Sequence, residues 1–201
     1  MTKIKICGLK RERDIEYVNE FLPEFAGFVF YPKSKRYVDF EKAKSLKSKL
    51  DKNIKAVGVF VNEDIEKILF LCKNDTIDII QLHGNEDKEY IKKLKEKTEK
   101  PVIKAVRIDE NKEDYSSIFV DTSADYILLD STAGSGKTFD WEKVSLPKKP
   151  FFAAGGINIK NAEKAIKIFT PFALDISSGV ETDGVKDREK IKDIINLIRR
   201  I

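Results

Sequence analysis

Residues 151–180 read FFAAGGINIKNAEKAIKIFTPFALDISSGV and contain two short apolar runs separated by a charged stretch. The apolar runs are predicted as strands at Phe151–Ala154 and Phe172–Ile176, since both are brief and rich in Phe and Ile. The stretch between them is predicted as a helix at Lys160–Phe169, because its apolar residues recur at helical spacing. Strands that alternate with amphipathic helices are typical of a parallel sheet. This segment therefore predicts an α/β fold.

The same unit recurs along the whole chain. Further strands are predicted at Ile4–Cys7, Ala26–Phe30, Ala56–Phe60, Ile77–Leu82, Val102–Val106 and Tyr126–Asp130. Further helices are predicted at Arg11–Phe21, Phe40–Leu50, Asn62–Cys72, Glu86–Thr98 and Asp187–Ile201, with a poorly patterned one at Asn111–Thr122 and a short one at Trp141–Val144. This pattern favours a single-domain (βα)8 TIM barrel over residues 1–201. Because such barrels typically have about 250 residues, the loops of this chain are predicted to be short. An open doubly wound sheet, which commonly has about five or six strands, is the alternative.

Composition narrows the class of protein. The 201 residues, 41% of them hydrophobic, can bury one sizeable core. The 38 basic and 34 acidic residues alternate along the chain, which indicates a solvated surface and no nucleic-acid partner. Cys7 and Cys72 are too few and too far apart for a disulfide framework or a metal site. With no signal-type segment and no apolar run of roughly 20 residues, we predict a cytoplasmic protein without a membrane partner.

Catalytic residues of a TIM barrel lie at the carboxyl ends of its strands. The residues that follow or end the predicted strands are Cys7, Arg36, Asn62, His83, Arg107, Asp130, Gly155, Gly156, Ser177, Ser178 and Gly179. Asn62 is interpreted as a helix cap, because two acidic residues follow it as they would in a first helical turn. His83 is the only histidine and is interpreted as a pocket residue. Cys7 is either a buried inert thiol or a functional one, and its position before Gly8 at a strand end favours function.

Two glycine-containing corners follow the last two predicted strands. They are Ala154–Ile157 and Ser177–Val180, and both expose backbone N–H groups. Loops after strands seven and eight, together with a helix N-terminus, form a recurrent phosphate site in these barrels. The two corners together predict phosphate binding.

The segment GSGKT at 134–138 is similar to part of a nucleotide-binding loop. The GxxxxGK[ST] pattern requires a glycine where Ser131 stands, so ATP binding is disfavoured. We instead predict a loop after strand six that covers the substrate, with Gly134 and Gly136 as hinges.

Nine motifs occur in a fixed order along the chain. They are KICGL at 5–9, GFVFYPKSKRY at 27–37, GVFVN at 58–62, QLHG at 81–84, LLD at 128–130, GSGKTFDW at 134–141, AGGI at 154–157, DISSGVE at 175–181 and GVKD at 184–187. On these motifs the chain resembles the phosphoribosylanthranilate isomerases of tryptophan biosynthesis over nearly its full length. The family usually has a second glycine where Ala133 stands and a longer stretch before it, so this chain departs from the family pattern in the loop that is predicted to cover the substrate.

The resemblance implies a (βα)8 barrel that carries out an Amadori rearrangement of an aminoaldose to an aminoketose without cofactor or metal. It implies Cys7 as general base, Asp130 as general acid and Arg36 as the contact of the anthranilate carboxylate. It also implies that Gly155–Gly156 and Ser177–Gly179 hold the phosphate of a small-molecule phosphosugar substrate.

The implied roles of Cys7 and Asp130 each set a requirement on the pKa of the side chain. A free cysteine titrates near about 8.5, so a thiol base benefits from a depressed pKa. Lys5 points to the same side of its strand as Cys7 and could depress it, or Lys5 and Asp175 could simply neutralise each other inside the barrel. Asp130 must hold a proton near neutrality to act as an acid, and the apolar run that precedes it favours the neutral form by desolvation.

Other functions are compatible with parts of the pattern. Indole-glycerol-phosphate synthase is another phosphosugar barrel, but its motifs do not match. A non-catalytic phosphosugar-binding barrel would have lost the acid or the base, and this chain has both. The sequence is compatible with a monomer or a homodimer, and with a specificity that also accepts the related histidine-pathway aminoaldose.

Overall fold

The structure is a computed structural model that describes residues 1–108, 122–131 and 146–201. Its main sheet contains β1 Lys3–Cys7, β2 Phe25–Val29, β3 Lys55–Phe60, β4 Ile79–Leu82, β5 Val102–Ile108, β6 Tyr126–Ser131, β7 Phe151–Ala154 and β8 Ala173–Ile176. Every strand lies within two residues of its predicted bounds. The strands are short apolar runs, buried on both faces, as expected when helices cover a parallel sheet.

Helices follow most of the strands. They are α1 Glu12–Phe21, α2 Phe40–Lys49, α3 Ile65–Lys73, α4 Lys88–Lys95, α5 Ala162–Phe169 and α6 Arg188–Arg199. A 3-10 helix at Ser178–Val180 and a small hairpin of β9 Glu181–Thr182 and β10 Val185–Lys186 precede α6. Apart from the last residue of the first, the predicted helices Asn111–Thr122 and Trp141–Val144 lie outside the described residues. Across the ranges that the structure describes, no helix combines the length and the apolar character needed to cross a membrane.

The sheet closes on itself. The eight strands pair in chain order and all in parallel, and β1 pairs with both β2 and β8. Lys5 of β1 is in register with Phe25 on one side and with Asp175 on the other. The structure therefore confirms the (βα)8 TIM barrel and not the doubly wound sheet.

Aromatic side chains fill the amino-terminal end of the barrel. The rings of Phe25 and Phe152 lie 5.4 Å apart, and Phe172 lies 5.6 Å from Phe152. Tyr126, the first residue of β6, packs edge-on against Phe152 at 5.8 Å. These side chains form a core with Val57, Ile79, Ile103 and Leu128. Since this end of the barrel is packed with apolar groups, polar interior side chains lie toward the carboxyl ends of the strands.

The helices cover the outside of the barrel with apolar faces. In α6 the buried residues are Ile191, Ile194, Ile195 and Ile198, which follow helical spacing. Asp187 caps this helix, because its carboxylate accepts hydrogen bonds from the backbone N–H groups of Glu189 and Lys190. The residues that follow the predicted helical spacing therefore form the buried face of this helix.

The prediction that Asn62 caps a helix is wrong. Asp64 is the N-cap residue of α3, and its carboxylate accepts from the backbone N–H of Glu66. Asn62 has a left-handed backbone with φ of 49°, and its side-chain oxygen accepts from the backbone N–H of Asn85 in the next loop. Asn62 therefore joins the loops after β3 and β4.

Candidate active site

A cavity of about 320 Å³ opens at the carboxyl ends of the strands, at the low end of the usual range for small-molecule sites. The predicted site residues that line it are Cys7, Arg36, His83, Asp130, Gly155, Gly156, Asp175, Ser177 and Ser178. Gly179 does not line the cavity but lies against Ile157, which does, and Gly134 and Gly136 lie outside the described residues. The predicted residues that line the cavity come from six strands and the loops that follow them, so the barrel brings them to one cavity.

Cys7 is the last residue of β1 and is 8% exposed. Its register partner on β2 is Gly27, where an added Cβ would lie 2.7 Å from the Cys7 sulfur. The following Gly8 has φ of 84°, and a Cβ there would lie 2.3 Å from the Cδ of Arg36. The two glycines therefore provide the space in which the thiol and the Arg36 side chain lie.

The Lys5 ammonium pairs with Asp175, and Cys7 lies two residues further along the same strand. The ammonium donates to Asp175 Oδ2 at 2.9 Å. Burial raises the pKa of the Cys7 thiol, and the Asp175 carboxylate raises it further, while Lys5 and Lys186 oppose the rise. The net direction is upward, so Lys5 and Lys186 do not bring the thiol pKa below its usual value. A raised pKa makes the thiolate a stronger base but a scarcer species near neutral pH.

We expect the rate at which iodoacetamide alkylates Cys7 to increase with pH, with a midpoint above about 8.5, the value for a free cysteine. The reason is that burial outweighs the two ammonium groups. Peptide mass spectrometry in a Cys72→Ala background would follow Cys7 alone. A midpoint below about 8 would show instead that Lys5 and Lys186 lower the thiol pKa by more than burial raises it.

Arg36 is held by the carboxylate of Glu181, which is not among the predicted site residues. Its Nε and Nη2 donate to the two oxygens of Glu181 at 2.7 and 2.6 Å. Lys186 donates to the same carboxylate at 2.7 Å and to the carbonyl of Ser177 at 3.0 Å. Burial alone would raise the pKa of Glu181, but the hydrogen bonds from Arg36 and Lys186 lower it to about 2. The carboxylate is thus charged, and Arg36 keeps its Nη1 edge for a ligand.

Asp130 and His83 form another pair of side chains that line the cavity. Asp130 lies in β6, next to Ala154 of β7, and its Oδ2 is 3.1 Å from His83 Nε2. His83 follows β4, and its backbone N–H donates to the carbonyl of Phe60 at 2.8 Å. Both side chains are partly exposed to the cavity, at 29% for His83 and 23% for Asp130. Asp130 can therefore reach a bound ligand while one of its oxygens is held.

The corners after β7 and β8 pack against each other. Gly155 and Gly156 both have positive φ, at 96° and 69°, which glycine adopts without strain. A Cβ on Gly179 would lie 1.9 Å from the carbonyl oxygen of Ile157, so the approach of the two corners requires glycine. The 3-10 helix begins at Ser178, and its N-terminal end lies at this cavity. Backbone amides in such a corner favour an anion.

Three polar residues at or behind the cavity wall were not predicted as site residues. Gln81 is 1% exposed, Lys186 is 3% exposed and Glu181 is partly buried. A glutamine among the apolar residues of Ile79–Leu82 is a signal that could have identified Gln81. Glu181 and Lys186 give no comparable signal. Each lies in a very short strand, and their partner Arg36 is far away in the sequence.

A closed eight-stranded barrel with a thiol, a carboxylate and an arginine around one cavity at its carboxyl end defines a TIM-barrel enzyme. The family model described as N-(5′-phosphoribosyl)anthranilate (PRA) isomerase matches residues 4–197. The chain belongs to this isomerase family.

Individual relatives agree with the family match. The N-(5′-phosphoribosyl)anthranilate isomerase of Endomicrobium trichonymphae is 48% identical over 206 residues and covers 100% of both chains. A phosphoribosyl anthranilate isomerase solved with reduced 1-(o-carboxyphenylamino)-1-deoxyribulose 5-phosphate superimposes with a TM-score of 0.85, at 36% identity over 100% of both chains. A structure of monomers generated from the dimeric enzyme of Thermotoga maritima gives a TM-score of 0.84, also at 36% identity over 100% of both chains.

Proposed function

We propose that the protein converts N-(5-phosphoribosyl)anthranilate to 1-(2-carboxyphenylamino)-1-deoxyribulose 5-phosphate in tryptophan biosynthesis. The observation that carries this proposal is the single cavity that brings Cys7 and Asp130 together with Arg36 and the two corners after β7 and β8. An Amadori rearrangement moves hydrogen from C2′ to C1′ through proton transfers, so one acid and one base can carry it. Because a thiol base must stay reduced, we also infer that the enzyme works in the cytoplasm.

The proposed reaction begins at Asp130. The carboxyl group gives a proton to the ring oxygen, the bond between that oxygen and C1′ breaks, and the anilino nitrogen supplies its electron pair to form an iminium ion. The Cys7 thiolate then removes the proton from C2′, and the electrons of that bond form the enolamine. Protonation at C1′ and loss of the C2′ hydroxyl proton give the ketone, so the reaction consumes no external oxidant or reductant.

Two anion sites at the ends of the cavity would orient the substrate. The corners Gly155–Gly156 and Ser177–Gly179 offer backbone amides and a short helix N-terminus for the phosphate. Arg36 is held by Glu181, and its remaining N–H groups can form a two-point contact with the anthranilate carboxylate. Holding the substrate at both ends places C2′ and the ring oxygen between the base and the acid.

Asp175 offers a contact for a substrate hydroxyl. Its Oδ2 accepts from Lys5, whereas its buried Oδ1 has no hydrogen-bond partner within the described part of the chain. A buried carboxylate oxygen without a donor is costly, and Asp175 lines the cavity. We infer that a ribose hydroxyl donates to Oδ1 when the substrate is bound.

The proposed activity is tested by continuous fluorescence of freshly generated phosphoribosylanthranilate mixed with the purified protein. Mass spectrometry identifies the product as the open aminoketose or an indole. Rapid conversion to the aminoketose supports the isomerase. Binding of a phosphate ester without any conversion would instead show a binding barrel or an isomerase of another substrate, and the histidine-pathway aminoaldose would then be tested in the same assay.

Replacement of Arg36 by methionine is expected to raise KM for phosphoribosylanthranilate about 10- to 100-fold, the effect of losing a charge-assisted hydrogen-bonded contact. The KM of an analogue made from aniline, which lacks the carboxylate, should be equal in the variant and the wild type. Steady-state kinetics with both substrates measures the difference. If KM for phosphoribosylanthranilate did not change, Arg36 would not be the carboxylate contact.

A further inference from the structure

Gln81 is a buried amide that connects two polar groups across the barrel. It lies in β4 and is 1% exposed. Its Oε1 accepts from the Lys5 ammonium at 2.8 Å, and its Nε2 lies 2.9 Å from Nδ1 of His83. Lys5 itself is 0% exposed and is anchored to Asp175 at 2.9 Å. The amide is therefore held from one side by a fixed cation and faces the imidazole on the other.

The orientation of this amide follows from its neighbour. Burial alone would lower the pKa of Lys5, but the charge of Asp175 raises it, so Lys5 remains an ammonium. An ammonium only donates, so the amide atom that faces it must be the oxygen. The amide nitrogen then faces His83, and because an amide nitrogen only donates, Nδ1 of the imidazole must be the acceptor.

A neutral imidazole that accepts at Nδ1 carries its hydrogen on Nε2. In this structure Nε2 lies 3.1 Å from Oδ2 of Asp130, so the hydrogen is donated to that oxygen. Oδ2 is engaged by this bond, so a proton on the Asp130 carboxyl group would lie on Oδ1. The order of hydrogen bonds is thus determined along the whole row from Lys5 through Gln81 and His83 to Asp130.

We propose that Gln81 is a positioning residue of the isomerase, which fixes His83 as the Nε2–H tautomer and thereby directs the proton of Asp130 to Oδ1. The proposal rests on the function proposed above, in which Asp130 is the acid. Asp130 is partly exposed, and a carboxyl group that can rotate freely presents its proton in several directions. A donor fixed at Oδ2 leaves one orientation, and misplacement of a catalytic group by about 1 Å can cost about 100-fold in rate.

Glutamine suits this position because it presents opposite hydrogen-bonding groups to its two neighbours. A glutamate there would offer acceptors to both Lys5 and His83, so Nδ1 would have to carry a hydrogen. A leucine would leave the buried Lys5 without one of its acceptors and His83 without its donor. Gln81→Glu is therefore the informative replacement, since it conserves shape and, besides adding a negative charge, replaces the donor that faces Nδ1 by an acceptor.

The test uses the fact that His83 is the only histidine of the chain. Long-range ¹H–¹⁵N correlation spectra of the ¹⁵N-labelled, ligand-free protein at a pH near 8 report which ring nitrogen carries hydrogen, without an assignment problem. We expect Nε2–H in the wild type and a hydrogen on Nδ1 in Gln81→Glu. An Nδ1–H tautomer in the wild type would overturn the proposal even if the variant failed to fold.

Kinetics of two His83 variants complete the test. The side-chain amide nitrogen of a glutamine at position 83 would lie about where Nε2 of His83 lies. That of an asparagine would lie about where Nδ1 lies. We expect His83→Gln to keep kcat within about 10-fold of the wild type and His83→Asn to lose about 100-fold, with little change of KM in either. Equal kcat values for the two variants would overturn the positioning role.

The failure of this proposal can be separated from failure of the proposed function. The spectra do not require turnover, so the Nε2–H tautomer can be observed in a protein with no isomerase activity. That result would reject the isomerase and support the hydrogen-bond order. An active wild type whose tautomer and kcat are unchanged by Gln81→Glu would support the isomerase and reject the role of Gln81.

Discussion

Replacement of Cys7 by serine is expected to lower kcat/KM by about 10²- to 10⁴-fold, the usual contribution of general acid–base catalysis. A serine hydroxyl holds its proton at neutral pH far more firmly than a thiol, so the proposed removal of the C2′ proton loses its base. The surrounding structure should not change, because the oxygen is smaller than the sulfur that already lies against Gly27. Initial rates from the fluorescence assay measure the loss.

The matched control is the other cysteine. Cys72 is buried on α3 and does not line the cavity, so Cys72→Ala should destabilise the protein modestly and leave kcat unchanged. Thermal unfolding of both variants separates loss of the base from loss of the fold. The assignment of Cys7 as base would be rejected if Cys7→Ser kept kcat within about threefold of the wild type.

The strands could be predicted because each is a short, mainly apolar run that is buried on both faces. Phe151–Ala154 has the same bounds in the sequence prediction and in the structure. The start of α3 was predicted less well, since Asn62, Glu63 and Asp64 can all stand before a helix. Asn62 is drawn away by its contact with Asn85, a residue 23 positions further along the chain that no local pattern indicates.

The positions of the candidate catalytic residues followed from strand ends, but their partners did not. Cys7 and Asp130 each end an apolar run, and the barrel topology places such ends at one rim. Arg36 and Glu181 are 145 positions apart, and their contact depends on how the loops after β2 and β8 fold over the rim. The direction of the Cys7 pKa could not be derived from the sequence, because burial, the largest cause, depends on packing and not on the neighbouring charges.

Replacement of Asp130 by asparagine is expected to lower kcat about 10²- to 10⁴-fold and to change KM by less than about threefold. An asparagine has nearly the same shape, and its side-chain oxygen can still accept from His83 Nε2, so the pair should keep its geometry. It has no proton to give to the ring oxygen at neutral pH. A near-normal kcat would reject the assignment of Asp130 as acid.

A control on the same strand is available. Asp125 immediately precedes β6 at the opposite end from Asp130, where it contacts Lys95 at 2.6 Å and the backbone N–H of Val102 at 2.8 Å. Asp125→Asn makes the same chemical change outside the cavity, so kcat should not change. A similar loss in both variants would indicate damage to β6 and not loss of an acid.

A substrate deuterated at C2′ would separate the acid from the base. In Cys7→Ser, removal of the C2′ proton becomes the slow step, so a full primary isotope effect on kcat is expected. In Asp130→Asn, ring opening becomes slow and precedes that step, so the isotope effect should fall toward unity. The two proposed roles thus make opposite predictions for the same measurement, whereas general damage to the site would change both variants alike. Equal isotope effects in the two variants would show that Cys7 and Asp130 do not divide the reaction in this way.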